Sequence, residues 1–195
     1  MTPDRPPARL IIGISGASGA VYGVRALAAL RELGVESHLV VSRAAALTLK
    51  LETGRDLADV AKSADRHYAA PDVAAAIASG SFRTMGMLVA PCSVRSMSEI
   101  ASGVTSSLLT RAADVVLKER RRLVLMVRES PLHLGHLRTM AQLTEMGAVI
   151  APPVPAFYAA PLTLEDMVDQ AVGRALDLFG LDWTRTRRWR ETGDG

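Results

Sequence analysis

LIIGISGASG, residues 10–19, decides the fold. An apolar run, residues 10–14, leads into Gly13, Gly16 and Gly19 at GxxGxxG spacing, and residues 20–33 follow with helical period. Strand, glycine-rich turn and helix in that order make a cradle for phosphate. A glycine backbone admits close approach, and a helix start offers unpaired N–H groups and the positive end of its dipole. The turn departs from the GxGxxG dinucleotide fingerprint, because Ser15 stands at its middle glycine. The second strand, residues 37–41, then runs into Ser42 and Arg43 with no carboxylate to grip a ribose 2′-hydroxyl. A mononucleotide such as FMN fits this pattern better than NAD. A tight turn without a ligand is the plain structural alternative.

Outward from this segment, short apolar runs at residues 37–41, 87–90, 123–127 and 148–150 repeat the strand signal of residues 10–14. Between them lie segments of helical period at residues 20–33, 44–52, 93–102, 108–119, 133–146 and 164–179. Five βα units with right-handed crossovers predict an α/β fold: a doubly wound parallel sheet in a three-layer α/β/α sandwich, Rossmann-like. Gly34, Gly80, Gly147 and Gly180 sit where helices should stop, as left-handed caps. Residues 55–82, rich in Ala and dotted with Asp, read as mixed helix and loop. With 195 residues, 49% of them apolar, the chain can bury a full core in one domain over residues 1–195, with flexible tails at 1–8 and about 190–195.

Composition narrows the function further. The single cysteine, Cys92, rules out an internal disulfide, and MTPDRPPAR lacks the apolar centre of a signal peptide, so a cytoplasmic protein is expected. Residues 148–162, the longest apolar candidate for a span, are broken by Pro152, Pro153, Pro155 and Pro161, so no membrane is expected. The net charge of +3 gathers in residues 118–122 and 185–190, read as a solvated helix end and a tail or as a basic site for phosphate esters. With three Phe, three Tyr and two Trp, stacking platforms are scarce, and nucleic acid is not an expected partner.

In a doubly wound sheet, ligands sit outside the carboxyl ends of the strands. The residues there are Ser15 to Ser18, Ser42, residues 91–96, residues 128–131 and residues 152–158. Ser93 is placed to cap the helix after the third strand, so that two helix starts converge on one crevice. Arg128 and Glu129 follow the fourth strand directly, either as a structural salt bridge or as a fixed cation beside a candidate acid or base. Cys92 reads as core rather than nucleophile. HExxH, CxxC, a Walker lysine and an aspartate-rich DDxxD run are all absent, and His133 with His136 lacks a third ligand. No metal is expected, and any allylic phosphate chemistry would rest on protein cations and a general acid.

The strings GISGASGAVYG, VVSRAA, LET, SGSF, PCS, TRAADVVLKERR, VRESPLHLGHL and PPVPAFY, in that order over residues 10–189, resemble the UbiX-type flavin prenyltransferases. The resemblance implies a flavoprotein that takes reduced FMN as a substrate. It would attach a dimethylallyl group from dimethylallyl monophosphate across N5 and C6, releasing prenylated FMN to a UbiD-type decarboxylase. It further implies a homododecamer with active sites completed by neighbouring subunits. Carried onto this chain, Gly16, Ala17, Ser18, Ser42, Ser93, Val94, Arg95, Ser96 and Arg128 match the flavin contacts. Tyr158 and Arg174 match residues holding the dimethylallyl phosphate, with Lys118 and Arg111 as cationic support. Glu52 and Glu129 match carboxylates at the reaction centre, Glu129 working through Ser18. The family often carries a tryptophan before SGSF, where this chain has Val73, so cation–π help from that position is missing.

Three other readings compete. FMN-dependent cysteine decarboxylases share the fold but rely on a histidine and an asparagine-bearing loop that this chain does not match. A noncatalytic FMN carrier or decarboxylase subunit would keep the cradle without needing Glu129, Tyr158 and Arg174 together. A direct aromatic acid decarboxylase would have no electron sink besides the flavin.

Overall fold

The computed structural model describes residues 8–189. Six parallel strands form one sheet: β1 (Arg9–Ile14), β2 (Glu36–Val41), β3 (Arg66–Tyr68), β4 (Gly86–Cys92), β5 (Arg122–Val127) and β6 (Val149–Ile150), in spatial order β3-β2-β1-β4-β5-β6. Seven helices are present among the described residues: α1 (Ala20–Glu32), α2 (Arg43–Thr53), α3 (Leu57–Ala61), α4 (Val94–Ala101), α5 (Leu108–Lys118), α6 (Leu134–Glu145) and α7 (Leu164–Asp177). Alternate strand residues feed two separate cores, as period-two geometry requires. Leu10, Ile12, Ile14, Leu88, Ala90, Val124 and Met126 pack with α1, α2 and α7. Ile11, Met87, Val89, Leu123, Leu125 and Val127 pack with α4, α5 and α6. The three-layer, doubly wound sandwich expected from the sequence is the observed architecture.

The expectation of five strands is corrected to six. The extra strand, β3, lies inside the stretch read as mixed helix and loop, with α3 and a 3₁₀ turn at Ala76–Ala78. Its signal was weak because it is a three-residue edge strand, RHY, with Arg66 and His67 exposed and no apolar run. Gly34, Gly147 and Gly180 have the predicted left-handed backbone, whereas Gly80 does not. A Cβ at Gly80 would meet only the mobile ends of Glu119 and Lys118, which can swing aside. The expected tails at 1–8 and 190–195 fall, apart from Ala8, outside the described residues. Among the described residues no helix is long and apolar enough to cross a membrane.

The strand order reverses between β1 and β4, which start crossovers to opposite faces of the sheet. The loops leaving these two strands therefore part company and open a crevice between them, the usual ligand position in such sheets.

Candidate active site

A cavity of about 770 Å³ occupies that crevice. Its walls include Gly16, Ala17 and Ser18 after β1, Ser42, Arg43 and Ala44 after β2, Ser93 to Ser96 after β4, and Arg128 and Glu129 after β5. The volume falls within the roughly 300–1,000 Å³ range of small-molecule sites. All the residues matched to flavin contacts are therefore brought together, and Glu129 with them.

Ser15, fully buried, locks the two loops to each other. Its Oγ donates to the Pro91 carbonyl at 3.0 Å and accepts from the Ser93 N–H at 2.7 Å. The residue that breaks the dinucleotide fingerprint is thus the tie between the glycine turn and the start of α4. Gly16 has its own packing reason, since a Cβ there would stand 2.5 Å from the Cβ of Ala44. It lets the turn lie against α2, and the close approach it permits is to protein.

The helix start expected to hold the phosphate is corrected by Glu52. This carboxylate, on the last turn of α2, accepts the N–H groups of Gly19 at 2.9 Å and Ala20 at 3.0 Å, so the beginning of α1 is already capped by an anion. Burial raises the Glu52 carboxyl, but hydrogen bonds from the Ser18 side chain and from Gly19 and Ala20, with the charge of Arg128, outweigh it and hold the group below its ordinary range.

The starts of α2 and α4 are capped by their own serine side chains and open onto the cavity. Ser42 Oγ accepts from the Ala45 N–H at 3.1 Å and Ser93 Oγ from the Ser96 N–H at 3.2 Å. Ala46 and Met97 donate to the carbonyls of the same two serines. The first-turn N–H groups of Arg43, Ala44, Val94 and Arg95 are left for a ligand, and all four residues line the cavity. Between them stands Arg128, whose guanidinium makes no ion pair or hydrogen bond with a described residue. The salt bridge with Glu129 is therefore not formed. Glu129 accepts from the Ser130 N–H at 3.0 Å. Ser18 and Glu129 both line the cavity, and the Ser18 side chain also helps hold the Glu52 carboxyl low.

These donors fit FMN: two helix starts and a free cation for its phosphate, in a cavity of mononucleotide size. Wall residues that the sequence did not suggest are Ala70 and Pro71, after β3, Glu99 on α4, which pairs with Arg95, and Ser106, Ser107 and Leu109, before and within α5. The first pair was hidden with β3, whereas Ser107 carried a readable capping-box signal with Thr110. Val73, exposed, lies two residues beyond Pro71 and is not part of the wall.

The residues matched to the dimethylallyl phosphate are elsewhere. Tyr158, Arg174, Lys118 and Arg111 are absent from the wall of this cavity. Arg174 lines a separate cavity of about 100 Å³ with Met126, Ala151, Pro152 and Gln170, and it pairs with Asp177. Lys118 pairs with Glu119 at 2.6 Å and Arg111 with Asp114 at 2.9 Å. Arg121, in the basic cluster read as solvated, instead donates to the carbonyls of Gly80 at 2.6 Å and Phe82 at 2.7 Å, anchoring the SGSF turn. Arg190 of the second basic cluster lies outside the described residues. Cys92 is fully buried, and burial pushes its thiol up to about 12, in keeping with a core role. His133 caps α6, its Nδ1 accepting from the N–H groups of Gly135 and His136.

Comparison with known proteins places the chain in a family. Residues 2–176 match the family model described as Flavoprotein. The chain is 59% identical over 174 residues to the flavin prenyltransferase UbiX of Escherichia coli K12, covering 89% of this chain and 92% of that protein. It superposes with a TM-score of 0.93 on AnUbiX (PadA1), solved in complex with FMN and dimethylallyl pyrophosphate, at 50% identity over 94% of this chain and 97% of the other. A dodecameric FMN-dependent UbiX-like decarboxylase from Escherichia coli O157:H7 gives 0.91 at 50% identity, over 93% and 98% of the two chains. The chain therefore belongs to the flavoprotein family and, within it, to the UbiX-type flavin prenyltransferases.

Proposed function

We propose that this flavin prenyltransferase joins a dimethylallyl group from dimethylallyl monophosphate to N5 and C6 of reduced FMN and releases prenylated FMN. The observation that carries this reading is the crevice at the β1–β4 switch point. There the starts of α2 and α4 and the unpaired Arg128 meet on a cavity of mononucleotide size that also holds Glu129. The relative solved with FMN and dimethylallyl pyrophosphate supports a dimethylallyl ester as donor.

The reduced flavin, when bound, supplies the two nucleophilic positions. The chain supplies the rest. The N–H groups of Arg43, Ala44, Val94 and Arg95 and the Arg128 guanidinium hold the flavin phosphate. Ser18, fixed by Glu52, presents its hydroxyl at the glycine turn, and the Glu129 carboxyl holds the proton that ring closure needs and takes the one it displaces. Tyr158 and Arg174, with Lys118 and Arg111, bind the donor phosphate and stabilise it as it leaves. The dodecameric relative supports an assembly in which neighbouring subunits bring these residues to the crevice. We further read the chain as one domain acting in the cytoplasm without a metal. Its product serves a UbiD-type decarboxylase.

Anaerobic incubation with reduced FMN and dimethylallyl monophosphate, followed by mass spectrometry of the released flavin, tests the reading. A gain of one dimethylallyl unit, unchanged by EDTA, is expected. Unmodified FMN retained by the protein would make it a carrier, and activity lost to EDTA and restored by magnesium would overturn the metal-free mechanism.

A further inference from the structure

Gln170 is a buried polar side chain on α7 with 4% exposure, and it ties Tyr158, matched to the donor phosphate, to the C-terminal segment. Its Nε2 donates to the Tyr158 hydroxyl at 3.1 Å and to the Arg187 carbonyl at 3.0 Å, while its Oε1 accepts from the Arg187 N–H at 2.9 Å. One amide therefore grips the phenol of Tyr158 and both main-chain groups of Arg187. Arg187 closes the loop by donating to the Ala159 carbonyl at 2.8 Å, next to Tyr158 in the chain. The Trp189 ring meets the Tyr158 ring edge-on at 5.6 Å.

The same C-terminal segment reaches Arg174. Asp177 accepts from Arg174 and also from Arg188, so the carboxylate that restrains Arg174 is shared with the segment after α7. The segment is seated against α7 at Gly173, where a Cβ would overlap the Thr186 hydroxyl. It is anchored further by the buried Trp183, whose indole donates to Glu32 at 2.7 Å. Tyr158 is only half-covered and lies in a short 3₁₀ turn, Phe157–Ala159, so little besides this network fixes the direction of its hydroxyl.

We propose that Gln170 is a positioning residue for the donor-phosphate site: it orders Tyr158 and the C-terminal segment 183–189 as one unit. This rests on the reading of Tyr158 as a ligand of that phosphate. Gln170 lines the 100 Å³ cavity and not the flavin crevice, so its removal acts on the donor and spares the flavin.

Gln170→Met keeps the side-chain volume and removes all three hydrogen bonds. Gln170→Asn keeps the amide and withdraws it by one methylene, a milder change should the Met variant fold poorly. Both are compared with Tyr158→Phe and with the Tyr158→Phe/Gln170→Met pair in the full-length protein. Donor KM, kcat and the dissociation constant of reduced FMN are the readouts. The expected result is a rise in donor KM of about tenfold for Gln170→Met, a smaller rise for Gln170→Asn, and FMN affinity within about twofold of the parent. The double variant should be no worse in KM than the poorer single one, since both changes remove the same oriented hydroxyl. If Tyr158→Phe raises the donor KM while both Gln170 variants keep the parental value, the positioning role is overturned and the reading of Tyr158 stands. If Tyr158→Phe keeps the parental KM, the reading of Tyr158 falls and the proposal with it.

Discussion

At the β1–β4 switch point nearly every polar partner is main chain: Ser15 on Pro91 and Ser93, Ser42 and Ser93 on the first turns of their helices, Glu52 on Gly19 and Ala20. Around Tyr158 and Arg174 the direct partners are side chains of α7, Gln170 on the Tyr158 hydroxyl and Asp177 on Arg174, and the same two side chains also hold the C-terminal segment at the Arg187 main chain and at Arg188. The first region is set by the fold of one chain and keeps its donors ready for an anion. The second is held by side-chain bonds from the buried Gln170 and from Asp177, which reach an only half-covered Tyr158 and Arg174 respectively. On the proposed function, flavin binding and donor binding should therefore fail separately.

Glu129→Gln puts the largest strain on that separation. The change keeps the shape and the bond to the Ser130 N–H within reach, and removes only the capacity to give and take a proton at a carboxyl. Product formation is expected to fall about 10²- to 10⁴-fold, the usual weight of a positioned acid or base, with FMN binding retained. Single-turnover mass spectrometry and an FMN titration read the two halves. Turnover at the parental rate would make Glu129 structural.

Gly16→Val comes next and attacks the crevice through its frame. The Cβ would stand 2.5 Å from that of Ala44, so either the turn or α2 must move. Overpacking of this kind costs about 1–3 kcal/mol, visible as a lowered urea midpoint. FMN affinity should fall by about tenfold or more while the Tyr158–Gln170 region keeps its geometry. Unchanged FMN affinity would mean that the cradle does not depend on how α2 meets the turn.

Legibility in the sequence follows the same division. Strands β1, β2, β4 and β5 and every helix of eight or more residues announced themselves, because a strand buried on both faces must be apolar throughout and an outer helix must repeat its apolar face. The crevice followed from them, since its residues are simply those after the strands. What the residues did not disclose was the partner of each polar group. GISGASG reads as an open phosphate turn, yet Glu52, 33 residues along, occupies its helix start. Arg128 and Glu129 read as a pair, yet neither touches the other. Resemblance alone supplied Arg174 and the role of Tyr158, and the bonds around Tyr158 form only when residues 12 to 17 positions apart along the chain meet at Gln170. Edge strand β3, too short to carry an apolar pattern, took Ala70 and Pro71 out of view with it.

The smallest expected effect is on stability and belongs to Glu52. Its carboxyl is held below its ordinary range in the folded chain, so it contributes stability that is present above the unfolded value, about pH 4.3, and is lost as the pH falls through the folded value. Glu52→Gln retains an oxygen for the Gly19 and Ala20 N–H groups and loses the charge beside the α1 dipole. At neutral pH the variant should therefore be less stable by about 0.3–1 kcal/mol, a modest figure because the carboxylate faces solvent and is screened. Urea midpoints of parent and variant should converge as the pH is lowered from about 5 toward 3, the parent losing its advantage as the carboxyl takes up its proton. A gap that persists unchanged at pH 3 would mean that the hydrogen bonds and not the charge secure the start of α1. The glycine turn would then owe its helix cap to shape alone. A gap that closes would mean that the Glu52 charge itself secures the start of α1, which leaves the starts of α2 and α4 as the ones open to the cavity.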